Sequence, residues 1–572
     1  MNRGLGVWRW GLGTLSLLLV GCGSKIGSST AESKPLPEYL ATTGTFRVTE
    51  IDESGFTVLL PSSFQSSGEE KLEFRRQRVY VPTKLPPMST WKILDPTSNF
   101  PKYLAGDATI EISEEMVEDP EGRYLDFVFR ASYQSADAMP LIDRESLTRN
   151  PADSVRVETT ENTISVSFRT PSSELPVIAV DLEGPLEDQR FIRTIVNRIT
   201  SESVRQVLPV AKHGFAPFGL NNSFYFGHTF WDMDVWVLPS MLFLQPDAVR
   251  QMNQYRLDRA AQAEKNAAEF FKKSNSGMMF PWESSVSGKE TVRASSVKEH
   301  HISGSVLWGL NLSEKAGISS SSEVGKVASG VSRFFDARSV TGPNGREIKD
   351  VMSPDENHIG DNDLYTNLLA QWAMNGRKWE GPAKFRLPKD ETSFLTYDDD
   401  KLRSYKQAAA VLSIFPLQYP EAEKQARTMM ERFEGKVSKN GPAMSDAIHA
   451  TIWARLGEKQ KAYDAWKRSW EPFVKGPQMM FSEKRSSERT YFYTGAAGCL
   501  NTVVYGFAGF RFDEKPLEGA VWKKQLKSGW WLSCKPCLPP KWKSLTISPM
   551  VIDGQRFSVE ITPEKVNIQP SV

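Results

Sequence analysis

From residue 44 to about 205 the chain alternates apolar and polar positions in short runs. They read "GTFRVTEID", "GFTVLLP", "RQRVYVP", "ATIEIS", "YLDFVFRASY", "SVRVETT", "TISVSFRT" and "LPVIAVDL". A period of two turns one face of each run towards a core, and turn-forming residues separate the runs, which predicts an antiparallel β-sandwich. "EDQRFIRTIVNRITSESVRQVL" then changes to helical spacing and predicts a link. From about 212 to 515 apolar residues recur every three or four positions, as in "QPDAVRQMNQYRLDRAAQAEKNAAEFFKK", "LRSYKQAAAVLSIFP" and "PEAEKQARTMMERF". Roughly ten to twelve helices are expected there, with Asp247 as the N-cap of an early one. So many helices in one block suit a ring of paired helices with their loops gathered at one end. After 520, "LTISPMVIDGQRFSVEIT" returns to strands.

The N-terminus adds a compartment. Arg3 and Arg9 precede the apolar stretch "LGTLSLLLVG", which has the length of a signal-peptide core and is too short to span a bilayer stably. It runs into Leu19-Val20-Gly21-Cys22, which resembles a bacterial lipobox, so Cys22 is expected to carry the lipid. Gly23, in place of an Asp that resembles a retention signal, points to the outer membrane, facing the periplasm or the cell surface. The polar stretch that follows is a flexible tether. The expected organisation is a multidomain α+β chain: leader 1–22, tether 23–43, β-sandwich 44–205, helical domain 206–515 and a small C-terminal β domain 516–572.

Charge changes the picture by exclusion. With 70 basic and 69 acidic residues there is no global field to attract nucleic acid. Aromatics at 11%, including 16 Trp, are plentiful enough to supply both a core and sugar-stacking rings. Cys534 and Cys537 form a lone C-x-x-C without the four ligands of a zinc site, so a local disulfide is expected in an oxidising compartment. The adjacent His300 and His301 of "EHHI" point different ways on a helix, so no metal site is expected.

Candidate chemistry concentrates in five segments of the helical block: "YFGHTFWDMDVWVLP", "MMFPWESSVSGKE" with "EHHI", "SPDENHIGDNDLYTN", "SYKQAAAVL" and "FSEKRSSERTYFYTGAAGC". Cleaving a glycosidic bond takes one carboxylic acid to protonate the leaving oxygen and a second carboxylate to activate water or attack carbon. Asp355, Asp361 and Asp363, with Tyr365 nearby, surround Glu356 in sequence, and such crowding would hold a proton on it. Trp231, Trp236 and Trp282 can stack on a pyranose, while Asp232, Lys406 and Gln407 can bond its hydroxyls.

In order and wording these segments resemble glycoside hydrolase family 65, the clan of acid trehalases, kojibiose and maltose phosphorylases, and glucosylgalactosyl-hydroxylysine glucosidases. "GHTFWDMDVWVLP" resembles the family's G-H-x-F-W-D-x-[DE], "FPWESSVSGKE" its F-P-W-E-S…G-x-E, "SPDENHIGDNDLYTN" its G-P-D-E-[YF]-H…N-N-x-Y-T-N, and "KQA" its K-Q-A-D. The resemblance implies an (α/α)6 barrel with Glu356 as general acid. It also implies that Trp231, Asp232, Lys406 and Gln407 hold the glucosyl unit, joined by Trp282 and Glu283 of the second segment. His228, Asp234, His301, Asp355 and Tyr365 are expected to support the site, and no cofactor is expected. Asn357, Ala409 and the interrupted "DNDLYTN" depart from the family's pattern and bear on the substrate.

The family's members divide by what attacks the anomeric carbon. Phosphorylases resembling this chain hold phosphate with a His and serines in the loop before the last barrel helix; here that loop has no His, and its acids are Glu483 and Glu488. Glu483 occupies the position resembling the hydrolases' base. The expected activity is an exported, inverting hydrolase releasing glucose from an α-glucoside. Alternatives are an α-glucoside phosphorylase, using Ser486, Ser487 and Arg485 for the anion, and a non-catalytic glycan-binding lipoprotein.

Overall fold

The alternating runs of the first third build two antiparallel sheets in the computed structural model. Described are residues 47–571, except 65–71, 95–101, 120–121, 152–153, 172–177, 207–213, 220–223, 293–294, 476–478 and 487–490. Cys22 and the tether lie outside the described residues. One sheet has three strands, Arg47–Asp52, Gly55–Phe64 and Leu72–Tyr80, in chain order. The other has six and is centred on the long pair Ala108–Asp119 and Gly122–Tyr133. Period-two positions Phe127, Phe129 and Ala131, with Ile164, Val166 and Phe168, form a core with Phe56, Val58 and Val79 of the first sheet. The rings of Phe56 and Phe127 meet at 4.9 Å.

One strand expected in this domain belongs elsewhere. Ala179–Glu183 pairs antiparallel with Ser544–Ile552, from Ala179 opposite Ser548 to Glu183 opposite Ser544. It begins a four-stranded C-terminal sheet completed by Gln555–Ile561 and Val566–Pro570. The reason follows in the chain. Helix Leu186–Gln206 buries Phe191, Ile192, Ile195, Val196 and Ile199, and Phe191 stacks on Trp470 at 4.1 Å. That docking holds the preceding strand beside the helical domain and away from the sandwich.

In the middle of the chain the helices sort by burial. Leu364–Met374, Ser445–Arg455 and Tyr493–Asn501 are buried nearly all round, and His301–Lys315 along most of its length. Ser321–Arg338 and Lys459–Trp470 bury one stripe each, as helices facing solvent do. Ser320 and Glu323 close a reciprocal capping box on the former. None of the helices among the described residues is long and apolar enough to cross a membrane.

The long run from 245 is two helices, Pro246–Asp258 and Ala260–Phe271, interrupted at Arg259. Asp247 is not the cap: Pro246 starts the helix, and Asp247 instead pairs with Arg250 one turn on. "SYKQAAAVL" forms only the short turn Ala410–Ser413. Its first residues are held in non-helical backbone because Tyr405 N donates to Lys436 O (2.9 Å) and Lys406 N to Asp355. Cys534 and Cys537 are free and buried, with no disulfide. The Cys534 thiol donates instead to Ala508 O at 3.0 Å.

Candidate active site

The two aspartates of "FWDMDV" have different duties: they stand two residues apart at the start of a π-helical turn, Met233–Val237, and so project to opposite sides of it. Asp234 is closed into the protein interior. Arg256 Nη2 and Nε reach its two oxygens at 2.5 and 3.2 Å, and Nη2 also donates to Phe230 O at 3.0 Å. Asp232 points the other way and accepts from Thr494 Oγ1 at 2.7 Å. Burial pushes its carboxyl up to about 7; Thr494 opposes this, while Glu356 and Glu483 add to it. Asp232 therefore shares its surroundings with both carboxylates singled out for the chemistry.

Trp231 does not lie open as a stacking platform. It is 1% exposed and pinned edge-on by Trp236 (4.6 Å), His301 (4.6 Å) and Tyr365 (6.1 Å). Its indole N–H has no partner among the described residues. Trp236, at 2% exposure, is equally inside. Trp282 alone of the three is half-buried, against Phe230 at 5.1 Å. The Tyr365 hydroxyl lies 3.4 Å from Ser305 Oγ, beneath the Trp231 floor.

The Trp282–Glu283 turn is joined to the first segment by mutual Thr229–Ser284 backbone bonds of 2.8 Å. His228 Nδ1 sits 2.7 Å from Glu283 Oε1. Glu290, not singled out from sequence, clamps this turn by accepting from the backbone N of Trp282 (2.7 Å), Glu283 (3.2 Å) and Val292 (3.3 Å). Burial pushes its carboxyl up to about 7 against those three bonds. Its only sequence signal is its place at the end of "SGKE".

Glu356 stands at the tip of a hairpin whose strands are Val351–Met352 and Ile359–Gly360. Its φ of 61° is left-handed, a conformation that costs a non-glycine residue about 1–2 kcal/mol. Such backbone persists where surroundings over-determine it. Here Glu356 N donates to Ser353 O (2.8 Å), Gln407 Nε2 to Glu356 Oε1 (2.8 Å) and to Pro354 O (2.5 Å), and Lys406 Nζ to Glu356 Oε2.

The acids expected to crowd Glu356 are turned elsewhere. Asp355 accepts from Lys406 N and His358 Nδ1. Asp361 accepts from Asp350 N at 2.9 Å. Asp363 caps Leu364–Met374 through Thr366 N (2.8 Å) and Oγ1 (2.6 Å). Closeness along the chain is not closeness in space. The charged partner of Glu356 is Lys406, whose ammonium is raised above its ordinary value: burial works against the charge, and Glu356 outweighs it.

Glu299 is the acid that comes near instead. It is buried beside His301, with Nε2 to Oε2 at 3.2 Å, and burial, aided by Glu356, holds its carboxyl well above the usual range. Burial also pushes His301 down to about 3, so the imidazole is neutral. Glu483 follows strand Met480–Phe481, and its carbonyl is held by Ala443 N at 2.9 Å. Its carboxyl is raised chiefly by burial; Lys484 and Lys406 oppose this and Glu356 adds to it. Arg485 is spent on Lys439 O and on Asp446, at 3.3 Å, and lies over Phe473.

Tyr225, also missed, completes the constellation. It is 37% exposed, has φ 50°, and packs on Phe218 and Phe230 at 5.5 and 5.0 Å. Burial raises its phenol, and Glu483, Glu356, Asp232 and Glu283 raise it further, so the hydroxyl keeps its proton among four carboxylates. Among the described residues no group of three or more His, Cys, Asp or Glu could hold a metal ion.

Residues 204–380 match the glycosyl hydrolase family 65 central catalytic domain, and residues 529–570 match the family's C-terminal domain. Two separate stretches of the chain thus match domains of one glycosyl hydrolase family. A kojibiose hydrolase from Mucilaginibacter mallensis is 30% identical over 405 residues, 67% of this chain and 57% of that protein. A protein-glucosylgalactosylhydroxylysine glucosidase from Gallus gallus is 28% identical over 420 residues, 68% of this chain and 57% of that protein. The chain thus spans little more than half the length of these curated relatives. A solved structure of a putative kojibiose phosphorylase from human microbiome has a TM-score of 0.61 at 12% identity, covering 94% of this chain and 93% of that one. At that identity the likeness speaks for a shared fold: β-sheets at both ends of a helical middle.

Proposed function

We propose that the chain is an inverting glycoside hydrolase that releases glucose from an α-glucoside on an (α/α)6 barrel. The carrying observation is geometric: Lys406 and Gln407 hold Glu356, and Thr494, on the helix that follows the Glu483 loop, holds Asp232, so three distant segments present carboxylates to one site. Glu356 acts as general acid and Glu483 as general base. On binding, sugar hydroxyls take over the Lys406 and Gln407 hydrogen bonds and leave Glu356 facing the glycosidic oxygen; hydrogen bonds in an empty site commonly rearrange in this way. Asp232, poised near neutrality, can donate to a sugar hydroxyl as well as accept from one. The Trp231 N–H offers a further donor, and Trp282 the stacking face.

Hydrolysis is favoured over phosphorolysis because Arg485, the nearest guanidinium to the loop serines in sequence, is already committed to Asp446 and Lys439. The names of the hydrolase relatives support the same direction. The purified protein is expected to release glucose from at least one α-linked glucose disaccharide, equally fast with and without phosphate. Release that requires phosphate, or none from any linkage, overturns the reading.

The leader supports export and lipid anchoring at Cys22, with the body facing the periplasm or cell surface. Cys22→Ser is expected to move the protein from the membrane to the soluble fraction; unchanged fractionation contradicts the anchor.

A further inference from the structure

A second concavity lies away from the carboxylates. His301, under the Trp231 floor, begins helix His301–Lys315, and Lys315 at the other end lines a cavity of about 420 Å³. A rise of 1.5 Å per residue separates those two ends by about 20 Å. Helix Leu364–Met374 repeats the arrangement, with Tyr365 beneath Trp231 and Trp372 lining the cavity. The volume falls within the ~300–1,000 Å³ of small-molecule sites.

Its lining is unusual for a structural crevice. Trp308, Trp372, Trp379 and Trp530 all contribute, and three of them are only half-buried. None of the four indole N–H groups donates to another described residue. Lys315 lies over the Trp530 ring at 3.9 Å. The guanidiniums in the wall are fixed and neutralised. Arg511 bonds Glu423 twice, at 2.5 and 3.0 Å, and Asp513 at 2.7 Å; Arg377 bonds Glu314 and, at 3.0 Å, Asn311. Lys378 and Glu380 lie exposed beside Trp379.

We infer that this cavity is a non-catalytic binding site for a neutral, pyranose-containing oligosaccharide. Flat indoles match the apolar face of a sugar ring. Unpaired N–H donors and rigid charge-paired forks match its hydroxyls. The guanidiniums are already met by carboxylates, which leaves an anion only Lys315, lying over Trp530, and the exposed Lys378. Neither Glu356 nor Glu483 lines the cavity, so binding there does not depend on their catalytic roles.

Calorimetric titration of the full chain with maltoheptaose, cellohexaose and inorganic phosphate tests it. At least one oligosaccharide is expected to bind. Trp379→Ala and Trp308→Ala should each weaken that binding about tenfold or more, as loss of a buried aromatic anchor does. Asp232→Asn should leave it in place, and both Trp variants should keep wild-type turnover of a small disaccharide. Binding of neither oligosaccharide, binding untouched by the two substitutions, or saturation by phosphate instead overturns the proposal. Should either variant fail to fold, a crystal of the unsubstituted protein soaked in the bound oligosaccharide must show a pyranose against Trp379 or Trp308. An empty cavity there contradicts the assignment.

Discussion

Glu356→Gln is expected to lower turnover of an α-linked disaccharide by about 10²–10⁴, the usual worth of a positioned general acid. The amide keeps the shape of the side chain and can still accept from Lys406 or Gln407, so the hairpin and its left-handed Glu356 turn should survive. Substrate affinity should change little. Glucosyl fluoride, whose leaving group needs no proton, should lose much less than the disaccharide. Steady-state kinetics on both substrates separate the outcomes: equal losses would show that Glu356 does not protonate the leaving oxygen.

Glu483→Ala is expected to cost about as much, again roughly 10²–10⁴, because water at the far face of the sugar would lose its base. The fold should remain intact, since the Glu483 contact that orders the loop is its backbone carbonyl to Ala443 N. In the unsubstituted protein the base works only when ionised. Burial raises the Glu483 carboxyl above the ordinary glutamate value, so activity should fall on acidification already above that value. A kcat/KM profile of the free enzyme reads that limb directly. An acid limb at or below the ordinary value would contradict Glu483 as base.

The sandwich strands were legible, and the two carboxylates could be nominated, because their signals are local. "SPDEN" and "FSEK" are short motifs, and Phe127, Phe129 and Ala131 show a period of two within one strand. Partner choice was not legible. "LPVIAVDL" alternates like its predecessors, yet pairs with a strand more than 300 residues later, because the helix behind it docks elsewhere. Helical spacing also misled at "SYKQAAAVL", where apolar run and helix propensity gave way to the bonds from Tyr405 and Lys406. In the site, Glu290, Glu299 and Tyr225 went unremarked because their importance lies in burial and in what the fold brings near them. Asp355, Asp361 and Asp363 were over-read for the converse reason: their neighbours in sequence are not the groups their carboxylates meet.

The most direct test of the account is proton NMR of the first sugar released from whichever α-linked disaccharide the protein cleaves, recorded before mutarotation. Water attacking the face opposite the leaving group, with Glu356 and Glu483 as acid and base, must deliver β-glucose, whether or not phosphate is present. If α-glucose appears first, or added phosphate is consumed to form a glucose 1-phosphate, the roles given to these two carboxylates are wrong.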